Sequence, residues 1–259
     1  MKEKKKIYFV SDAHLGSPDF ESSLKREKLL VQWLEEKSAD AEAIYLVGDI
    51  FDFWYEYKHV VPRGFTRLFG TLARLTDEGL PVYFFTGNHD IWVFGYLQQE
   101  LGMQVIYDVL ETELHGKRFY IAHGDALGTY DKKYNFLKKI FTSKFLQWCF
   151  SRIHPNFAVA LAKRWSKYSR GNHNYPKELN YEDEWLVKYA RDVMKEKDID
   201  YFVFGHRHIP IVHKLGRETT FINLGDWLFN FTYGEFDGDR FQLKNYVEKN
   251  KNVGEIKGD

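Results

Sequence analysis

The feature that most limits how this chain folds is a recurrent unit. A short, largely apolar run ends abruptly in a cluster of Asp, His or Asn. Residues 7–10 precede Ser11-Asp12-Ala13-His14, and residues 43–47 precede Gly48-Asp49. Residues 82–85 lead into Thr86-Gly87-Asn88-His89-Asp90, and 118–122 into His123-Gly124-Asp125. The last two runs, 201–204 and 220–224, end in Gly205-His206-Arg207-His208 and Gly225-Asp226. Such short runs rich in Val, Ile, Phe and Tyr predict buried strands. The stretches 21–37, 65–78, 91–101 and 181–197 predict helices; in the first, Leu24, Leu30, Val31 and Leu34 recur at near-helical spacing beside charged residues. Strand, polar loop and helix in repetition predict an α/β fold with helices covering a central sheet. Near the end, Asp237-Gly238 between alternating residues predicts a hairpin.

In an open α/β sheet, loops at the carboxyl ends of the strands converge on the ligand site. The clusters therefore combine into one set with the makeup of a two-metal hydrolytic centre. Imidazole and carboxylate suit borderline divalent ions such as Mn²⁺, Fe²⁺ or Zn²⁺. Asp12 and His14 are two residues apart, so both side chains can leave one face of an extended segment, and His206 and His208 repeat the device. By contrast, His59, His115, His154, His173 and His213 lie outside the clusters and read as surface or packing residues. Asp52, Asp125 and Asp226 read as braces for ligands or turns. Cys149 is the sole cysteine, which excludes an internal disulfide and a thiolate metal site. Only four apolar residues follow the basic start, and no run approaches the roughly 18 that a spanning helix needs. A cytoplasmic protein, or one attached to a membrane from the cytoplasmic side, is expected.

The 37 Lys+Arg balance 37 Asp+Glu, which excludes a globally basic nucleic-acid binder. That zero is a cancellation. Residues 132–170 carry ten Lys/Arg and no acid, leaving 27 basic against 37 acidic residues elsewhere. The same stretch holds Phe136, Leu137, Ile140, Phe141, Phe145, Leu146, Trp148 and Phe150, with Phe136–Ile140, Leu137–Phe141 and Phe141–Phe145 at helical spacing. It predicts a basic amphipathic helical insertion between the His123 and His206 clusters.

The ordered motifs D-x-H, G-D-x-x-D, G-N-H-D, H-G-D and G-H-x-H, spanning residues 12 to 208, resemble those of the calcineurin-like metallophosphoesterase superfamily. The resemblance implies a single domain over 1–259, a four-layer αββα sandwich with a helical lid insertion at about 131–180. It implies that Asp12, His14, Asp49 and His208 hold one metal and that Asp49, Asn88, His123 and His206 hold the other, with Asp49 bridging. Two divalent ions against two carboxylates leave excess positive charge for a hydroxide nucleophile and an anionic phosphoester. His89 is implied to contact phosphoryl oxygens or protonate the leaving group, with Asp90 orienting it.

Within the superfamily, residues 47–54 and His123-Gly124-Asp125-Ala126-Leu127 followed by Asp131 resemble the UDP-2,3-diacylglucosamine hydrolases of lipid A biosynthesis. That family cleaves a pyrophosphate with Mn²⁺, giving UMP and a diacylglucosamine 1-phosphate. It also carries a helical insertion after H-G-D that covers the acyl chains and touches the membrane. The resemblance implies substrate contacts from Asn88, Asp131, Arg164, Ser169, Asn172 and Lys177. It also implies a peripheral place on the cytoplasmic face of the inner membrane, through the basic aromatic lid. One departure stands out: the family's best-known members have Gly-Asn-Arg-Asp where this chain has Gly-Asn-His-Asp. The chain is then either a divergent branch of that hydrolase or a soluble phosphodiesterase or phosphatase acting on nucleotides or other small esters.

Overall fold

The computed structural model describes residues 5–128, 132–171 and 181–248. Two sheets lie at its centre. The first contains β1 (Lys6–Val10), β2 (Ala41–Val47), β3 (Val82–Phe85), β4 (Gln104–Ile106) and the C-terminal hairpin β10 (Thr232–Phe236) and β11 (Phe241–Asn245), in the order β11-β10-β1-β2-β3-β4. The second contains β5 (Leu110–Leu114), β6 (Lys117–Ala122), β7 (Tyr201–Phe204), β8 (Pro210–Lys214) and β9 (Thr220–Leu224), in the order β5-β6-β7-β9-β8.

Alternation along the strands explains the layering. In β1, Ile7 and Phe9 join a cluster with Phe119, Ile121, Val203 and Ile222 of the second sheet. The intervening Tyr8 and Val10 point the other way, into a cluster with Leu30, Trp33, Leu34, Leu68 and Leu72. These come from α1 (Phe20–Ser38) and α2 (Thr66–Asp77). In the second sheet, Tyr120, Phe202 and Phe204 pack on Leu186, Val187 and Ala190 of α7 (Trp185–Val193). A period of two thus gives each central strand two buried faces, and the stack is helix, sheet, sheet, helix. The αββα expectation holds.

Asp19 caps the start of α1 by accepting the Ser22 amide, whereas the start of α2 is fastened by a side chain from elsewhere. Phe65 at the start of α2 has no capping side chain of its own. Buried Glu27 of α1 instead accepts the Arg67 and Leu68 amides (2.9 and 3.2 Å).

Three elements differ from expectation. The stretch 91–101 is helical only as α3 (Tyr96–Leu101), because Glu56 draws in the Phe94 and Tyr96 amides around Gly95, whose φ is 149°. Residues 181–197 divide into a 3₁₀ turn (Tyr181–Asp183) and α7. Between them Glu184, at φ −65° and ψ 123°, turns to pair with Arg207 at 2.8 Å. Among the described residues the insertion is three helices, α4 (Lys132–Thr142), α5 (Lys144–Ser151) and α6 (Pro155–Gly171). Ser143, extended at ψ 116°, ends α4, so Phe141 and Phe145 do not share a helix as their spacing suggested. Strands β4, β5 and β8 carry no sequence signal strong enough to predict them; β5 exposes Glu111 and Glu113 at the sheet edge.

Candidate metal centre

The parallel pairings β1–β2–β3 and β6–β7–β9 bring the carboxyl ends of six strands to one edge of the sandwich. Asp12 and His14 follow β1, Asp49 follows β2, and Asn88 and His89 follow β3. His123 follows β6, His206 and His208 follow β7, and Asp226 follows β9. The structure brings them together in three groups, Asp12/His14/His208, His14/Asp49/His89 and Asp49/His123/His206, each with donor atoms within 4.8 Å of one another.

The local backbone is strained where these side chains leave it. Asp12, His14, Asp49, His206 and His208 all have positive φ, between 42° and 68°, a region that non-glycine residues occupy only when the surroundings force them. The force comes from cross-loop hydrogen bonds. The Asp12 amide donates to the Gly48 carbonyl (3.0 Å), His14 to Asp49 (2.9 Å) and Gly205 to His123 (2.9 Å).

Each carboxylate is divided between structure and cluster. Asp12 Oδ2 accepts the His206 amide (2.9 Å), while Oδ1 lies 3.3 Å from His208 Nε2 and 3.7 Å from His14 Nε2. Asp49 Oδ1 accepts the His89 amide (2.8 Å), while Oδ2 sits between His123 Nε2 (3.4 Å) and His14 Nε2 (3.7 Å). Asn88 Oδ1 lies between His206 Nδ1 (2.9 Å) and His123 Nε2 (3.3 Å).

This donor set fits divalent ions. Asp12 Oδ1 is buried without a hydrogen-bond partner, and the His14 and His208 Nε2 atoms face each other at 3.2 Å. One proton between two imidazoles leaves that oxygen unsatisfied, whereas a cation satisfies all three. The rings are oriented from behind. His123 Nδ1 donates to the Val47 carbonyl (2.9 Å), His14 Nδ1 faces Asp52 (3.6 Å), and His208 Nδ1 faces Asp226 (3.4 Å). Replacing Asp52 by Ala is expected to weaken divalent-metal affinity about 10–100-fold, measurable by equilibrium metal titration of the full chain.

Electrostatics keep the two carboxylates ionised and hold two of the imidazoles below their ordinary range. Burial alone would raise Asp12 and Asp49. His208 and His14 hold the first below the usual carboxylate range, and His123 and His89 hold the second well below it. Burial would depress His123, but Asp49 beside it raises the ring well above its ordinary value. Burial pushes His89 down to about 4 and, with neighbouring His123, His206 to about 3. Burial and the Asp49 charge push Asp90 up to about 7.

Asp90 corrects one expectation. Its carboxylate accepts the Gly87, Asp49 and Phe51 amides (2.7, 3.2 and 3.2 Å), bracing the Asp49 loop. The His89 ring is held instead through Nδ1, which donates to the Asp52 carbonyl (3.0 Å).

A cavity of about 560 Å³ opens beside the cluster. Asp52, Asn88 and His89 are among its lining residues, together with the apolar Phe53, Trp92, Leu137, Phe141, Phe150 and Leu161. The body grips the insertion directly. Trp92 Nε1 donates to the Phe141 carbonyl, Tyr55 Oη to the Gln147 carbonyl (both 2.8 Å), and Lys138 pairs with Asp125 at 2.9 Å. Trp92 escaped sequence reasoning because its segment resembled a helix.

Of the expected substrate contacts, Asn88 lies at the cluster and Arg164 is exposed on α6, outside the cavity lining. The Ser169 side chain, Asp131, Asn172 and Lys177 lie outside the described residues, as does His173. His115 and His213 pair at the surface with Glu42 (3.0 Å) and Glu182 (3.3 Å).

The profile of the calcineurin-like phosphoesterases matches residues 5–210. The chain belongs to that family, and it is a hydrolase. Over nearly its whole length it is similar to proteins named UDP-2,3-diacylglucosamine hydrolase. That of Porphyromonas gingivalis (strain ATCC BAA-308 / W83) is 38% identical, covering 93% of this chain and 97% of the relative. That of Vibrio vulnificus (strain CMCP6) is 30% identical, covering 91% and 96%. Among solved structures, the E. coli phosphoesterase Yfce aligns over 96% of both chains at 16% identity with a TM-score of 0.48.

Proposed function

We propose that this chain hydrolyses the pyrophosphate bond of UDP-2,3-diacylglucosamine, giving UMP and a diacylglucosamine 1-phosphate, with two Mn²⁺ ions as cofactor. The observation that carries this is the apolar cavity ending at Asn88 and His89, which joins an acyl-sized space to an anion-binding centre. The names of the full-length relatives support the same substrate.

In this reading Asp12, His14, Asp49 and His208 hold one ion, and Asp49, Asn88, His123 and His206 the other. Asp49 Oδ2, set between imidazoles of both groups, occupies the bridging position. When bound, the ions supply Lewis-acid charge and lower the pKa of water from 15.7 towards about 7. Asn88 and His89, at the cavity end, contact the phosphoryl oxygens. The apolar walls take the acyl chains and exclude water, while Arg164, Ser169, Asn172, Lys177 and Asp131 contact the sugar and phosphates.

The test is direct. With Mn²⁺, purified full-length protein should release UMP from UDP-2,3-diacylglucosamine. Indifference to that lipid with efficient turnover of small phosphodiesters would establish the soluble phosphodiesterase instead.

The same insertion is the membrane contact, placing the protein on the cytoplasmic face of the inner membrane. Among the described residues no helix is long and apolar enough to cross a bilayer. The insertion nonetheless exposes Phe145 (69%), Phe157 (74%) and Leu161 (61%) alongside its cations. Co-sedimentation with anionic vesicles is expected at low salt and to fall severalfold in 1 M salt, where the screening length is about 3 Å. Salt-independent failure to sediment removes the membrane role.

A further inference from the structure

The loop joining β9 to β10 presents an aromatic side chain that neither folding nor the cavity uses. Phe229 is 77% exposed, although it lies only three residues from Asp226. Solvent exposure of a phenyl ring contributes nothing to the core. The loop beneath it is nevertheless rigidly built. Asp226 Oδ1 accepts the Leu228, Phe229 and Asn230 amides at 3.0, 2.8 and 2.9 Å. Asn230 Nδ2 donates to the His208 carbonyl (3.0 Å), and the Trp227 amide to the Asp12 carbonyl (3.1 Å). The ring is therefore carried on a support fastened to two residues of the metal centre.

Its position is asymmetric with respect to the cavity. Of the cluster residues, Asn88 and His89 line the cavity together with Asp52, whereas Asp12, His14, Asp49, His123, His206 and His208 do not. A substrate with acyl chains at one end, a diphosphate in the middle and a nucleoside at the other has an enforced order. With the chains in the cavity and the diphosphate at the cluster, the nucleoside emerges on the flank away from Asn88 and His89. His208 is one of the cluster residues outside the cavity lining, and the Phe229 loop is fastened behind it.

We propose that Phe229 is the platform on which the pyrimidine base of the nucleotide half stacks. The inference rests on the reading that the substrate carries a nucleotide. A flat, preorganised aromatic ring gains from stacking without requiring hydrogen-bond readout, because every base has a π-face.

Calorimetric titration of the Mn²⁺-loaded full chain tests this with two probes, UMP and inorganic phosphate. In Phe229→Ala, UMP affinity should fall about tenfold while phosphate affinity changes less than about twofold. Phe229→Trp should return UMP affinity to within about threefold of the parent. Unchanged UMP affinity in Phe229→Ala overturns the platform. So does an equal loss for UMP and phosphate, which would make the loop a support of the metal centre only. If UMP binding depends on Phe229 but UDP-2,3-diacylglucosamine is not cleaved, the platform stands and the proposed substrate falls.

Discussion

Asp49→Asn lowers turnover by about 10³-fold or more at saturating Mn²⁺, with far-ultraviolet circular dichroism unchanged. The side chain keeps its volume, and its amide oxygen can still accept the His89 amide that Asp49 Oδ1 now accepts at 2.8 Å. What is lost is the negative charge at Oδ2, between His123 and His14 at 3.4 and 3.7 Å. In the proposed two-metal reading, an amide there offers the cations either a weaker oxygen or an N–H that repels them. A thousandfold change corresponds to about 4 kcal/mol of transition-state stabilisation, within reach of one buried charge that serves two cations. Metal content per chain should fall in parallel. Retention of more than a tenth of the activity would remove the bridging role from Asp49.

Gly87→Ala reduces activity by about 10²-fold, although Gly87 bears no side chain and does not line the cavity. A Cβ built there would lie 2.2 Å from Asp49 Oδ1 and 2.6 Å from the Asp49 amide nitrogen. Neither can yield, because Oδ1 is bound to the His89 amide and the Asp49 amide donates to Asp90. The added methyl must displace the Asp49 carboxylate or the G-N-H-D loop, and ångström-scale misplacement of a reacting group costs about two orders of magnitude in rate. Gly70, helical in α2 with nothing within 4 Å of its Cβ position, is the control. Gly70→Ala should stabilise the protein by up to about 1 kcal/mol through helix propensity. Thermal melts with kinetic assays on both variants separate the two effects. Comparable losses of activity in both would exclude the steric argument.

Gly87 also shows where sequence reasoning reached and where it stopped. The motif glycines were visible as letters, but their necessity comes from contact across the fold: a Cβ at Gly205 would likewise lie 2.6 Å from Asp12 Oδ2. The eight residues Asp12, His14, Asp49, Asn88, His89, His123, His206 and His208 were legible because each follows an apolar run of strand length. Parallel strands deliver such residues to one edge whatever the details of packing. Asp90 shows the limit. Its adjacency to His89 suggested a partner, yet the turn of the G-N-H-D loop sends its carboxylate to three amides instead.

The apolar periodicity and the order of the polar clusters are local properties of the chain, and they predicted an α/β fold with helices over a central sheet, the makeup of the centre and a basic helical insertion; the four-layer αββα arrangement was implied only by the family resemblance. Neighbouring residues suffice for such features, because strand and helix periods decide which side chains share a face. Tertiary structure decided the rest. It placed Asp49 Oδ2 between two imidazoles, fastened the insertion through Trp92 and Tyr55, enclosed the cavity against His89, and left Phe229 exposed behind His208. Each depends on distances between residues far apart in the chain. Such distances are set by how sheets and helices pack, and no local pattern carries them.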